Sequence, residues 1–476
     1  MTEERAEFGP FREKMEEAGQ SGAAIDAFER SYDWLCRGVS GLVDEGEIEP
    51  VEELPEYGAV VSGGVESEGE APVGETVVIK LNGGLGTGMG LERAKSLLEV
   101  REGLTFLDLI ARQVKWWRGR SGEGEGEGLR FLLMNSYATS GDTLEFFEER
   151  YSELGGGKEM ELMQSQVPKV DAATMAPVEY GERPELEWCP PGHGDLYASL
   201  LGTGWLDLLL AQGVRYAFVS NSDNLGATLD EGLLGYFASS GAPFLMEVTR
   251  RTPSDSKGGH LAVEAGSGRL ILRESAQCSE EDRAAFQDIE RHRFFNTNNL
   301  WLRLDVLKEV LDASGGAIPL PVMKNEKTVN PRDGGSARVY QLETAMGAAI
   351  GCFEGAGALV VPRSRFAPVK STSDLFSVRS DAYELTEDAR LVLAASRGGT
   401  PPEVVLDGAH YKMVDQLEAA TREGVPSMIG CDRLEVVGPV EFYGDGVVEG
   451  RVLISNEGEE AKRVPAGVLR DGEYVL

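Results

Sequence analysis

The sequence predicts an α/β fold built on a mainly parallel sheet, followed by a smaller all-β region. Three observations predict it. Short, nearly continuous runs of β-formers recur at Thr76–Leu81, Leu129–Ser136, Arg215–Asp223 and Ala242–Thr249, as expected of strands buried on both faces of a parallel sheet. Helical patterns such as Asp142–Leu154 alternate with them, which is the signature of an α/β layer fold. Beyond about Gly424 the helical period stops, and β-branched runs punctuated by glycine take over. That texture fits a β-solenoid or a small β-sandwich.

In chain order, residues 1–70 read as a helical extension, with Phe28, Tyr32, Leu35 and Val39 at helical spacing over Phe11–Val43 and an acidic loop after it. Residues 71–394 form the main domain. It starts on the Thr76 strand, passes through a glycine-rich turn and enters a helix expected near Ala94. Ser121–Gly128 (SGEGEGEG) is of low complexity and reads as a solvated loop. The Gly/Pro stretch near residue 395 marks the last boundary, and Tyr411–Arg422 is expected to be a helix leading into the β region, 395–476.

The chain has 476 residues, 80 acidic and 46 Lys+Arg, for a net charge of -34. Its length calls for roughly two to four domains. So negative a surface repels nucleic acid and anionic membranes, so no nucleic-acid or membrane partner is expected. Any anionic ligand must enter a small, locally positive site. Cys36, Cys189, Cys278, Cys352 and Cys431 are scattered and never paired as C-x-x-C, which suits a reducing compartment. The acidic start lacks the apolar core of a secretory signal, and no apolar run reaches about 18 residues. The expectation is a soluble, cytoplasmic protein.

The strongest chemical signal is Leu81–Ser96, LNGGLGTGMGLERAKS, directly after a strand. Glycines 83, 84, 86, 88 and 90 leave backbone N–H groups open to phosphate oxygens, the expected helix N-terminus favours anions, and Lys95 adds a point charge. The spacing is neither G-x-G-x-x-G nor G-x-x-x-x-G-K-[ST]. Asp223 ends a strand within Asn221-Ser222-Asp223-Asn224, where an open sheet receives ligands, and is placed to hold Mg2+ on a nucleotide; a helix cap is the plainer alternative. His193 stands in a rigid Pro-Pro-Gly-His-Gly loop, whereas His260, His292 and His410 share no metal spacing and read as structural. The carboxamides of Asn296, Asn298 and Asn299 suit sugar hydroxyls, or simply a turn. Lys370, in an apolar setting, suits a phosphate.

Taken together these blocks resemble eukaryotic-type UTP–glucose-1-phosphate uridylyltransferases. LNGGLGTGMG…AKS, QSQVPK, PPGHGDLY, NSDNLGA, FNTNNLW, QLETAMGAAI and SRFAPVKSTSDL follow in the family's order from about Val78 to Tyr383, and PSMI…VPAGVL resembles its C-terminal part. The resemblance implies a Rossmann-like nucleotidyltransferase domain with a left-handed parallel β-helix behind it. It implies UTP along Leu81, Asn82, Gly83 and Gly84, with Gln164 reading the uracil edge and Gly192 nearby. Asn221, Ser222 and Asp223 would sit at the nucleotide, with Asp223 on Mg2+. His193 and Asn298, with Gly84 close by, would contact glucose 1-phosphate. Lys95 and Lys370 would grip the phosphates and are the expected catalytic residues, Lys370 being the one the family assigns; Lys257 in SKGG matches a further family lysine. A homo-oligomer through the C-terminal region is also implied.

One block departs from the family. Where the family has Cys-Lys-Gly-Pro, this chain has Leu91-Glu92-Arg93-Ala94. A lysine thus becomes Glu92, and Arg93 is the nearest residue to replace its charge. The expected reaction is uridylyl transfer from UTP to glucose 1-phosphate. Its rivals are the same transfer to galactose or N-acetylglucosamine 1-phosphate, or a catalytically silent scaffold.

Overall fold

The computed structural model describes residues 7–62, 71–120, 128–155 and 157–476. Most of the low-complexity segment expected as a loop, residues 121–127, lies outside the described residues.

The main sheet is mixed. Glu161–Met163, Arg130–Asn135, Thr76–Asn82 and Tyr216–Asn221 form a parallel run in that spatial order. Phe294–Arg303 then pairs antiparallel with Tyr216–Asn221 and carries Phe244–Arg250 antiparallel along the sheet. Gly357–Val360 adds in parallel on Phe244–Arg250, and His260–Glu264 with its neighbours Ile48–Pro50 and Leu270–Arg273 completes the sheet.

The apolar runs are continuous because both faces are covered. Val77, Ile79, Leu132, Ala217 and Val219 point into one cluster, closed by the helices Leu196–Gly202, Trp205–Ala211 and Leu304–Ala313. The alternate residues Val78, Phe131, Leu133 and Phe218 point into the other, closed by Phe106–Arg120, Ser140–Arg150 and Glu231–Ser240. Each large apolar side chain among them contributes about 1.5–3 kcal/mol by leaving water. Register brings Asn82 beside Asn135, Leu81 beside Asn221 and Asn135 beside Met163, so the carboxyl ends of four parallel strands share one edge.

Two expected helices before the C-terminal region differ. The N-terminal pattern is broken into Gly9–Glu17 and Gly22–Cys36, and Val39 is exposed beyond the second, where Gly38 turns left-handed. No helix begins at Ala94. The chain makes short helical turns at Thr87–Met89 and Lys95–Leu97, then a hairpin of Glu99–Arg101 and Leu104–Thr105, and the helix begins only at Phe106. Leu98, Val100 and Leu104 are drawn into a core shared with the C-terminal region, which overrides helical propensity there.

The expected helix near Tyr411 is two short ones, Gly408–Tyr411 and Val414–Ala420. After them Cys431–Val437, Val447–Ser455 and Val468–Val475 pair in parallel, with Glu403–Leu406 on the outer side. Val440–Glu441 and Lys462–Arg463 form a second parallel pair. These strand pairings are all parallel, unlike those of an antiparallel sandwich. Its core reaches the main domain through Met89, Phe106, Val369 and Phe376. Among the described residues no helix is long and apolar enough to cross a membrane.

Candidate active site

The shared edge of the parallel strands positions the site. Asn82 itself is buried. Its amide donates to Asn135 Oδ1 at 2.8 Å and Thr143 Oγ1 at 2.9 Å, so this side chain anchors the glycine loop rather than facing the cleft. Gly83 follows, its carbonyl held by the Ser136 hydroxyl at 2.9 Å. A Cβ on Gly83 would lie 2.8 Å from the Gln164 side-chain oxygen, which places Gln164 across the loop. Gln164 is fixed at both ends: its N–H donates to Asn135 O at 2.7 Å and its amide to Gly192 O at 2.9 Å. Gly83, Gln164 and Gly192 therefore lie together, with Leu81 two residues ahead of Gly83 on the same strand end.

Gly192 is required by its surroundings. Its φ is +81°, and a Cβ there would meet the Thr344 carbonyl at 2.5 Å. Next to it, His193 Nδ1 accepts the Met346 N–H at 3.0 Å, which puts the ring proton of the neutral form on Nε2. Burial pushes this imidazole down to about 4. His193 thus offers a neutral N–H donor across the physiological range. Asp195, pushed up to about 6 by burial, accepts from the Ser165 N–H and the Ser199 hydroxyl and locks the loop.

On the other side, the Ser222 N–H donates to Leu81 O at 3.0 Å, and the Asp223 carboxylate meets the Lys95 ammonium at 2.6 Å. Lys95 is carried there by the loop, its N–H bonded to Gly84 O. Asn298 sits in a bulge: Glu247 pairs with Asn299 and Val248 with Asn296, leaving Thr297 and Asn298 unpaired. At φ 59° Asn298 is left-handed, held by reciprocal bonds with Asn296.

Lys370 and Lys257 lie apart from this group. Both line a cavity of about 680 Å³ beside the cleft, with Phe295, Arg363, Phe366 and Asp374. Lys370 is exposed, its ammonium over the Phe366 ring at 5.8 Å and its N–H on Asp374. The Val369 N–H donates to Asp223 O at 3.0 Å, so the backbone carries Lys370 to the edge of the nucleotide side.

Arg93, the nearest replacement for the lost lysine charge, turns its guanidinium to Asp142 at 3.0 Å and Glu145 at 3.4 Å on the Ser140–Arg150 helix, and Glu92 is exposed. Sequence reasoning also missed Asn135, Ser136 and Asp195, which hold the loops in place. Their position after buried strands or beside His193 was the only signal.

The family profile of UTP–glucose-1-phosphate uridylyltransferase matches residues 25–448. The Saccharomyces cerevisiae enzyme of that name is 40% identical over 412 residues, which is 86% of this chain and 80% of the relative. The chain belongs to the UTP–glucose-1-phosphate uridylyltransferase family. The Solanum tuberosum member is likewise 40% identical, over 83% of this chain and 79% of its own length. Among solved structures, the UDP-glucose pyrophosphorylase of Leishmania major, described in open and closed forms, superposes with a TM-score of 0.91 at 47% identity, over 98% of this chain and 99% of that one. A variant of the same Leishmania enzyme bound to UDP-glucose superposes equally well, with a TM-score of 0.91. The protein from Trypanosoma brucei is 48% identical with a TM-score of 0.87, over 98% and 99% of the two chains.

Proposed function

We propose that this chain transfers the uridylyl group of UTP to glucose 1-phosphate, releasing pyrophosphate and UDP-glucose. The observation that carries the reading is the convergence of Gly83, Gln164, Gly192, His193, Lys95 and Asp223 on one sheet edge in a chain of this family. UTP lies along Leu81, Asn82, Gly83 and Gly84, with Asn82 contributing backbone only. Gln164 reads the uracil, with Gly192 beside it and Asn221 and Ser222 flanking the nucleotide. His193 and Asn298, near Gly84, hold the sugar phosphate, and Lys95 and Lys370 hold the phosphates.

A phosphate oxygen of glucose 1-phosphate attacks the α-phosphorus of UTP; the new P–O bond forms as the bond to the β-phosphate breaks. The nucleophile is already an anion, so no strong base is needed. What must be supplied is positioning and positive charge. Among the described residues no three His, Cys, Asp or Glu side chains cluster to form an all-protein metal site. A single carboxylate fits Mg2+, which commonly binds through one or two carboxylates plus substrate phosphates. Asp223 would hold it, and the ion would supply charge neutralisation between the phosphates. Lys95 now meets one Asp223 oxygen and would turn toward phosphate.

The parts are a helical extension (1–70), a catalytic domain (71–394) and a C-terminal domain (395–476) whose parallel strands are those of a β-helix. Its last strand, Val468–Val475, leaves Val468 and Val475 exposed, an edge suited to a second copy. Five free cysteines, two of them buried, fit a cytoplasmic setting.

The deciding assay is pyrophosphate release with Mg2+ and UTP, comparing glucose, galactose and N-acetylglucosamine 1-phosphates. Preference for the glucose ester is expected; preference for another sugar would move the substrate and keep the chemistry. Release unaffected by Asp223→Ala and by chelator would remove Asp223 from the metal.

A further inference from the structure

Beneath the cleft, one buried polar cluster joins the three segments that carry Asp223, Asn298 and Lys370. Glu247, fully buried, receives Arg365 Nε and Nη2, each at 2.7 Å, Trp301 Nε1 at 2.9 Å and Asn299 Nδ2 at 3.0 Å. Four donors on one carboxylate offset its desolvation, so the cluster is stable in a single arrangement. Arg365 belongs to the Lys370 segment, and Asn299 directly follows Asn298.

Asn224, only 3% exposed, completes the cluster on the Asp223 side. Its Nδ2 donates to Asn299 Oδ1 and to Arg365 O, both at 3.2 Å. Its Oδ1 accepts the Ala367 N–H at 2.9 Å and the Gly226 N–H at 3.2 Å. Both amide orientations are fixed, because Glu247 and the Arg365 carbonyl can only accept. Two backbone bonds, Leu225 N–H to Ala367 O and Val369 N–H to Asp223 O, run on either side of it.

We propose that Asn224 is a positioning residue that sets Lys370 against Asp223, acting through the Arg365–Ala367 backbone. The inference rests on the roles proposed above for Lys370 and Asp223. Asparagine is needed because both a donor and an acceptor are used at one buried point. Aspartate keeps the acceptor and loses both donors; alanine loses all four bonds.

The test is steady-state kinetics on Asn224→Ala and Asn224→Asp, alone and combined with Lys370→Ala, with folding checked by thermal unfolding. A misplacement of about 1 Å is enough to lower kcat by ~100-fold, and that order of loss is expected with the KM for UTP little changed. In the Lys370→Ala background the same change should cost little more, because its effect passes through that lysine. Equal fold-losses with and without Lys370 would overturn the proposal, as would a loss carried by KM. A second readout needs no turnover: the rate at which an amine-acylating reagent modifies Lys370, followed by peptide mass spectrometry on whichever variant folds. A changed rate is expected; an unchanged one would overturn the proposal. Wild-type protein inactive with every sugar phosphate would sink the functional reading alone, since the acylation rate would still report whether Asn224 holds Lys370.

Discussion

Lys95 is 15% exposed and its ammonium lies 2.6 Å from the Asp223 carboxylate. Lys370 is exposed, makes no ion pair among the described residues and leans over the Phe366 ring. The first sits on a loop held by the ends of parallel strands, the second on a segment held by the buried Asn224 cluster and by the C-terminal core at Val369. The two charges are therefore prepared in different ways. Lys95 arrives already neutralised, and a phosphate must compete with Asp223 for it. Lys370 makes no such close ion pair among the described residues, only a longer-range attraction to the Glu274 carboxylate, and its placement depends on the backbone.

The largest effect expected from this contrast is on Lys370→Ala, which should lower kcat by about 100- to 1,000-fold, the usual range for removing one group that stabilises developing charge. Lys95→Ala should instead act mainly on KM for UTP, weakening binding by roughly tenfold, about 1.4 kcal/mol. Steady-state kinetics on both variants separates the cases; equal kcat losses with unchanged KM would erase the contrast.

A smaller but sharper test concerns the rigid side. Gly192→Ala must place a Cβ 2.5 Å from the Thr344 carbonyl at φ +81° and ψ 173°, a conformation essentially reserved for glycine that alone costs about 1–3 kcal/mol. Calorimetry should show a lowered Tm together with reduced turnover. An unchanged Tm would mean the loop moves freely and is no more preorganised than the Lys370 segment.

The smallest expected effect is in pH dependence. His193 is held down at about 4 in the folded chain against 6.5 ordinarily. As pH falls below about 6.5 the unfolded chain takes up this proton and the folded chain does not, so stability declines until about pH 4 and then levels for this group. His193→Gln should flatten that part of the stability–pH curve relative to wild type. Likewise, kcat/KM should show no histidine ionisation near 6.5; an inflection there, absent in the variant, would count against a neutral His193.

Much of this was legible in the residues. Thr76–Asn82, Arg130–Asn135, Tyr216–Asn221 and Phe244–Arg250 announced themselves because strands buried on both faces need apolar residues at almost every position. Asp223 stood out because it follows such a strand, and Gln164 because its block matches the family. The supposed helix at Ala94 was misread because glycine loops before lysine often open helices, whereas here Leu98, Val100 and Leu104 have a C-terminal core to join. The Arg93 pairs were out of reach for a similar reason: its partners Asp142 and Glu145 lie 49 and 52 residues away along the chain, invisible to local spacing.

The layered α/β architecture, the glycine loop, the family and the kinds of side chain at the site could all be read from the residues alone. They follow from period, composition and local backbone freedom, which neighbours in the chain specify. The folded chain was needed to show that Asn82 points inward, that Lys95 is paired with Asp223 while Lys370 makes no close ion pair among the described residues, and that Asn224 ties Asp223 to the Lys370 segment. Each depends on hydrogen bonds and ion pairs between residues far apart in sequence. Their strength comes from burial, which exists only once the chain has folded.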